Sequence, residues 1–476
     1  MSSTTLRGVT VVDTRDGSHS PAVDVTLTAD RITAITPASG DAAADHSTGG
    51  GTSVDARGKY LVPGYLDMHA HPLERKDPTG TLELMLATGI TGFRQMSGSP
   101  KLLRQRADGT LPLPAASPAL LALPGTILTP VNAGTGPAAV AQVREQHAAG
   151  ADFIKVGFVA PEVFFQAQAE AVRLGIPILG HLPTNIDVVR ASRIGFRSIE
   201  HLGPSLGIFA ACSCQEDAVR AALSRQRMIK LPSMKLPFME RLVAKMVRKI
   251  AVNPTALART ADVALTQQAI DTFDEAKAVD LAGHFVADDT WQCPTLIRKR
   301  TSQFCDAEEF RTDPNLRYVA PDTVKEWTAA GRTAARRPAA ERETFRREFD
   351  LQLRLTALFE AAGVKMIAGS DCSGAAWEIP GYSLHQEFDL LAQAGLSPLR
   401  VLQTTTLNGA QFLGATDTMG TVDVGKSADL VLLDADPIED VSHLHALAGV
   451  VRAGRYYSPA ELDAIKDRVA AARSVE

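Results

Sequence analysis

Pro63-Gly64-Tyr65-Leu66-Asp67-Met68-His69-Ala70-His71-Pro72 follows directly on the apolar run Tyr60-Leu61-Val62. After the Pro-Gly step, polar side chains occupy every second position: Asp67, His69 and His71. In an extended chain successive side chains alternate between faces, so these fall on one face of a single strand from Tyr60 to His71. Two imidazoles held side by side on a rigid strand supply half of a metal site, with nitrogen donors that suit zinc and its neighbours. A bare His-x-His also occurs as an ordinary polar strand face, so the rest of the chain must decide.

Downstream of this stretch the sequence alternates. Strand-like runs at Gly92–Met96, Leu120–Leu123, Phe153–Phe158, Ile176–Leu182, Ser198–Leu202, Trp291–Ile297 and Val364–Ser370 are separated by helical stretches. Pro137–Ala149 and Val163–Leu174 are examples of the latter, both amphipathic and both ending near a glycine. With Tyr60–His71 the chain carries eight strands alternating with helices. That pattern predicts an α/β fold, a parallel (β/α)8 TIM barrel. The two ends read differently. Leu6–Asp13, Val23–Ile35, Asp429–Asp434 and Val450–Tyr457 are short strands bounded by turn residues. The expectation is one small β-sandwich domain built from residues 1–59 and 411–476, with the barrel at 60–410 inserted between them. The interval 205–290 is too long for one crossover. It carries basic helical stretches at Met239–Ile250 and Val263–Ala282 and reads as a helical insertion over the barrel mouth.

The totals exclude several classes of function. A chain of 476 residues with 45% hydrophobic and 22% charged residues has the composition of a globular protein with a large domain and a smaller one. Its net charge of -5 argues against a nucleic-acid or anionic-membrane partner. Five cysteines make no disulfide framework and fit a reducing compartment. Residues 1–17 contain no apolar core of signal-peptide length, and no run approaches the ~18 apolar residues of a membrane span. The expected location is the cytoplasm.

Active sites of such barrels lie at the carboxyl ends of the strands. Read in order, those ends give His69 and His71 (first), Lys155 (fourth), His181 (fifth), His201 (sixth) and Asp371 (eighth). Each is a polar residue that terminates an apolar run. Singly, such a histidine is usually just hydrogen-bonded and such a lysine usually extends to solvent. Together they read as a metal site.

At these residues the chain resembles the amidohydrolase superfamily. Pro63–His71 is similar to its first-strand motif, and Met419–Val431 to the signature of its small β domain. Gly180-His181, Glu200-His201 and Gly369-Ser370-Asp371 fit the same pattern. Pro380–Glu387 followed by Ala394–Pro398 resembles the imidazolonepropionase-like branch that includes Xaa-Pro dipeptidases and ochratoxinase. The resemblance implies a divalent-metal site of two ions. His69, His71 and Asp371 would hold the buried ion, His181 and His201 the exposed one, and Lys155 would bridge them. A lysine ammonium has no lone pair, so the bridge implies a Lys155 carboxylated by carbon dioxide; an unmodified Lys155 would leave a single ion on His69, His71, His181 and Asp371. Zinc is the first expectation for the metal, with manganese, cobalt or iron as alternatives. Such a site activates water and polarises a carbonyl, with Asp371 carrying the proton and either His201 or His181 assisting as ligand or oxyanion donor.

The reading at this stage is a hydrolase of an amide C–N bond in a small N-acyl amino acid, dipeptide or related amide. The same site would also suit carbamates, thiocarbamates or aryl ureas, and a barrel that had lost its chemistry would be a non-catalytic scaffold. His385 begins a helix shortly after the last strand and is the candidate substrate contact; Arg94 or Lys235 is the candidate cation for a substrate carboxylate. The expected partners are a small-molecule substrate and, from the resemblance, other copies of the chain in a homo-oligomer.

Overall fold

The computed structural model describes residues 3–38, 51–204, 206–225, 252–255, 258–372 and 374–475. The quoted stretch does not form one strand. It splits at Gly64 into β5 (Tyr60–Pro63) and β6 (Tyr65–Ala70), which belong to different sheets. Gly64 sits where a Cβ would lie 2.1 Å from the Thr91 hydroxyl oxygen, so only glycine lets the chain pass this close to its neighbour. Alternation of side chains is the same on both sides of the break, which is why periodicity alone reads it as continuous.

β5 joins the strands of both chain ends. β1 (Ser3–Val11), β2 (Val23–Thr28), β3 (Arg31–Pro37) and β4 (Thr52–Asp55) come from one end, and β13 (Leu430–Leu433), β14 (Leu447–Arg452) and β15 (Arg455–Tyr457) from the other. They form one eight-stranded sheet in the order β15-β14-β13-β5-β1-β2-β3, with β4 paired to β1. Leu6, Val25, Leu61, Leu430 and Val451 share its apolar core. The last helix, Pro459–Val475, leaves this sheet and packs on the helix Pro78–Ala87 beside the central domain.

The central domain is a TIM-barrel-like α/β fold. β6, β7 (Ile90–Gln95) and β8 (Ala119–Ala122) form one parallel sheet. β9 (Ile154–Val156), β10 (Ile178–Gly180), β11 (Phe196–Glu200) and β12 (Trp291–Cys293) form another. β6 and β7 are buried along their whole length, as strands covered on both faces must be. The expected eighth strand, Val364–Ser370, appears as bridges rather than a regular strand. Met366 pairs with Gln292 on one side and Cys372 with Ala70 on the other, all parallel. Across the remaining gap the Asp152 N–H donates to the Leu123 carbonyl at 3.0 Å, and Leu128 bridges to Val156.

The expected strand Trp291–Ile297 is shorter than its apolar run. Pro294 lacks an N–H to continue the ladder, Thr295 turns into the left-handed region (φ 45°), and the helix Leu296–Gln303 begins at once. In the insertion, Val263–Ala282 is two helices, Thr260–Asp271 and Glu275–Ala287. The second packs beside the barrel strands' own helices, against Val188–Arg193 and Ala339–Ala361, rather than over the mouth. Met239–Ile250 lies outside the described residues.

Candidate metal centre

Six sequence-predicted residues meet. His69 is on β6, His71 follows it, Lys155 is the middle residue of β9, His181 follows β10, His201 follows β11 and Asp371 ends the bridged eighth run. All six line one cavity of ≈ 1220 Å³ at the carboxyl ends of the strands. The ring centroids of His69 and His201 are 4.7 Å apart, and those of His181 and His201 5.0 Å. His69 Nε2 and His71 Nε2 each lie 3.1 Å from Asp371 Oδ1, and His201 Nε2 lies 3.9 Å from Oδ2.

The backbone is bent to make this meeting. His201 (φ 61°) and Asp371 (φ 56°) are both left-handed, a conformation that non-glycine residues hold only under constraint and that clusters at functional sites. Gly369 makes room for the crossing: a Cβ there would lie 2.5 Å from His69 Cβ and 2.9 Å from Cys293 Sγ. Asp67, the third polar residue of the opening motif, does not face the cavity. It is buried and accepts from Ser370 Oγ at 2.6 Å and from the Ser370 N–H at 3.0 Å, so it fixes the turn that aims Asp371.

The outer nitrogens of the three rings are already engaged, and their partners set the tautomers. His69 Nδ1 lies 2.6 Å from the Glu200 carboxylate, which can only accept. His71 Nδ1 lies 2.6 Å from Ser97 Oγ, whose own proton goes to Glu74, so the imidazole donates. His201 Nδ1 meets Thr295 Oγ1, whose proton goes to the Pro294 carbonyl at 2.8 Å, so this ring donates too. Each imidazole then turns its Nε2 inward, toward the Asp371 carboxylate. Three ring nitrogens converging on one carboxylate make a donor set that suits a cation, and outer-nitrogen partners of this kind are what orient histidine ligands.

Two buried atoms add to the fit. Lys155 Nζ and His181 Nδ1 have no hydrogen-bond partner among the described residues. Burial pushes the Lys155 ammonium down to about 8 despite the nearby Glu200 and Asp371 carboxylates. Burial likewise holds the His201 and His181 imidazoles well below the usual histidine range, which keeps them neutral.

Sequence reading missed several residues around the site. Glu200 is held by Arg94, whose Nη2 lies 3.0 Å from Oε1, and by Ser198 Oγ at 2.9 Å. Burial would raise that carboxyl, but Arg94 and His69 hold it below the ordinary range. Arg94 is therefore not a cation at the mouth. It is fully buried beneath the site, donating to the Met68 carbonyl at 2.5 Å and stacked 4.8 Å from the Phe412 ring. Lys235 lies outside the described residues. Arg298, on the helix after β12, lines the cavity with Nε 3.3 Å from Asp371 Oδ2. No sequence periodicity marks it, because its place depends on where β12 stops.

His385 is not brought to the cavity. Its Nε2 lies 2.7 Å from the Thr88 carbonyl, just before the amino end of β7, and its ring packs against Tyr65 and His445. The site lies at the opposite, carboxyl ends of the strands.

A TIM-barrel-like scaffold that gathers imidazoles, a lysine and a carboxylate at its strand ends has the architecture of an enzyme. Residues 60–457 match the amidohydrolase family, and the chain belongs to that family, which makes it a hydrolase. A comparison with curated proteins returns no match. Among solved structures, a bottromycin amidohydrolase superposes with a TM-score of 0.67 at 21% identity, covering 98% of this chain and 90% of its own. A Xaa-Pro dipeptidase with bound methionine in its active site gives 0.62 at 18% identity, covering 96% and 100%. The A. niger ochratoxinase gives 0.59 at 14% identity, covering 96% of each chain. At these identities the likeness carries the fold; the substrates named belong to those proteins. No helix among the described residues is long and apolar enough to cross a membrane.

Proposed function

We propose that the protein is a metal-dependent hydrolase that cleaves the C–N bond of a small amide, an N-acyl amino acid or dipeptide. The observation that carries this reading is the convergence of the His69, His71 and His201 Nε2 atoms on Asp371, with each Nδ1 committed elsewhere as a donor. His69, His71 and Asp371 would hold one divalent ion and His181 with His201 a second, bridged by a carboxylated Lys155, with zinc the first choice. Divalent ions held there lower the proton affinity of a water and polarise a carbonyl oxygen.

The chain's own residues supply the rest. Asp371 is the general base and acid: its carboxylate sits between the imidazoles on one side and Arg298 on the other, in reach of both an attacking water and a leaving nitrogen. His201, whose Nδ1–H is spent on Thr295, stands over the same carboxylate with its Nε2 lone pair turned inward and so serves as a ligand. Glu200, clamped by Arg94, keeps the His69 ring from turning. The finer reading of the fold is a closed (β/α)8 barrel beginning at β6, which the bridges at both gaps between its sheets support, with β5 and the strands of both chain ends forming a separate β-sandwich.

Asp371→Asn and His71→Ala test the assignment, with turnover of N-acyl amino acids and metal content measured together. Both variants should lose turnover by at least about 100-fold, and His71→Ala should also lose metal. Full activity in both variants would overturn the proposal.

A further inference from the structure

The helix Pro459–Val475 leaves the eight-stranded sheet, yet its last turn reaches the metal cavity. Leu462, Ile465 and Val469 seat it in one apolar cluster with Leu84, Leu86 and Ala87 of the helix Pro78–Ala87. Two ion pairs tie it to the same neighbourhood. Arg468 Nη2 lies 3.0 Å from Glu83 Oε1, and Arg473 Nη2 lies 2.9 Å from Asp77 Oδ2. Their settings differ. The Arg468 side chain is 56% exposed and that of Arg473 only 10%, and of the two arginines it is Arg473 that lines the cavity. A guanidinium so far out of water needs a carboxylate that offsets its lost hydration. Gly80 leaves room for the pair, since a Cβ there would lie 2.4 Å from Asp77 Oδ2 and 3.1 Å from Arg473 Nη2.

Asp77 is the far end of a segment that begins at a candidate ligand. Pro72–Asp77 links His71 to the helix Pro78–Ala87, and Asp77 caps that helix by accepting from the Gly80 N–H at 3.1 Å. Within the segment, Glu74 accepts from Ser97 Oγ, which in turn accepts from His71 Nδ1 at 2.6 Å. The direction of the His71 ring therefore depends on where Glu74 is held. Burial does not hold it: the Glu74 side chain is 46% exposed, where water competes for the same hydrogen bond. A short segment fixed at both ends does. At one end the His71 N–H donates to the Cys372 carbonyl at 2.6 Å, and at the other Arg473 clamps Asp77.

We propose that Arg473 is a positioning residue of the metal centre: by clamping Asp77 it fixes the Pro72–Asp77 segment and, through Glu74 and Ser97, the His71 ring. This role rests on the reading of His71 as a metal ligand. It makes metal affinity depend on a helix that carries none of the ligands.

The test measures zinc affinity of the full chain by chelator competition, with a urea midpoint for every variant. Arg473→Leu removes the clamp, and Asp77→Asn removes its charge while keeping an acceptor for the Gly80 N–H. Each should weaken zinc binding by about 5- to 10-fold, at or below the loss that follows removal of a ligand's direct outer partner. The double variant should be no weaker than either single one, because all three break the same pair. Arg473→Lys keeps the charge and should recover part of the affinity. Arg468→Leu breaks the other pair and should bind zinc like the native chain even where its urea midpoint falls, which separates positioning from helix docking. Native affinity in Arg473→Leu, an equal loss in Arg468→Leu, or additive losses in the double variant would each overturn the proposal. His71→Ala is the reference. Zinc affinity unchanged in His71→Ala sinks the ligand reading itself, whereas a loss there without one in Arg473→Leu sinks only the role of Arg473.

Discussion

His69 Nδ1 and Glu200 Oε2 meet at 2.6 Å, in a buried contact between residues 131 positions apart, and Arg94 closes the other side of the same carboxylate at 3.0 Å. The triad fixes which nitrogen of His69 faces the cavity. Glu200→Gln keeps the shape but removes the charge that balances Arg94. Metal affinity should fall about 10- to 100-fold, the usual cost of losing a ligand's outer partner. Stability should fall by about 3–5 kcal/mol, because a buried guanidinium is left without its counter-charge. Chelator competition and urea denaturation measure the two effects. An affinity equal to the native chain would show that the carboxylate does not orient the ring.

Lys155 is the residue whose surroundings least suit the form in which it is encoded. Its Nζ is buried without a partner among the described residues, in the middle of β9 and facing the cavity. A bridging carboxylate formed on that nitrogen gives it one role that an ammonium cannot fill. Lys155→Met keeps the stem and removes the nitrogen. Bound metal should drop from about two ions per chain, as in two-metal hydrolytic sites, to about one. Elemental analysis after dialysis decides it, and an unchanged count removes Lys155 from the metal site.

How much of this was legible in the sequence follows from what each residue depends on. His69, His71, Lys155, His181, His201 and Asp371 each close an apolar run, so a local pattern and one rule about barrel strand ends were enough to group them. Glu200, Arg94, Ser97 and Thr295 act through partners on other strands, such as Thr295 on His201, 94 positions away, and no local spacing records that. The break at Gly64 was hidden because β5 and β6 share one alternation while pairing in different sheets. Arg298 depends on Pro294 ending β12 early. His385 misled for the opposite reason: its closeness in sequence to Asp371 conceals that the helix Tyr382–Gln393 carries it to the amino end of the strands.

His385 therefore makes a structural prediction in place of a kinetic one. Its Nε2 bonds to the Thr88 carbonyl at 2.7 Å in a fully buried setting, and burial pushes its imidazole down to about 4, so the ring stays neutral. His385→Phe fills the space but leaves that carbonyl without its donor. Stability should fall by about 1–3 kcal/mol, with KM for an N-acyl amino acid within about twofold of the native value. A raised KM at native stability would return His385 to the substrate.

Glu387, one turn into the same helix, makes stability depend on pH. One of its oxygens accepts from the Ile297 N–H at 2.7 Å, and the other is buried without a partner among the described residues. Burial pushes its pKa up to about 8, with the backbone N–H groups of Ile297 and Leu296 pulling the other way. An exposed glutamate titrates near ~4.3. Between those values the unfolded chain has released the proton while the folded chain retains it, so the folded state binds more protons and loses stability as pH rises. The contribution is complete below about pH 4 and lost as pH climbs through the folded value, at up to about 1.4 kcal/mol per pH unit. Glu387→Gln keeps an acceptor for Ile297 and has no proton to lose. Its stability relative to the native chain should improve from pH 5 to pH 8 by on the order of 2–4 kcal/mol. Urea midpoints at several pH values give the comparison, and two parallel stability curves would mean that Glu387 is already ionised in the folded protein.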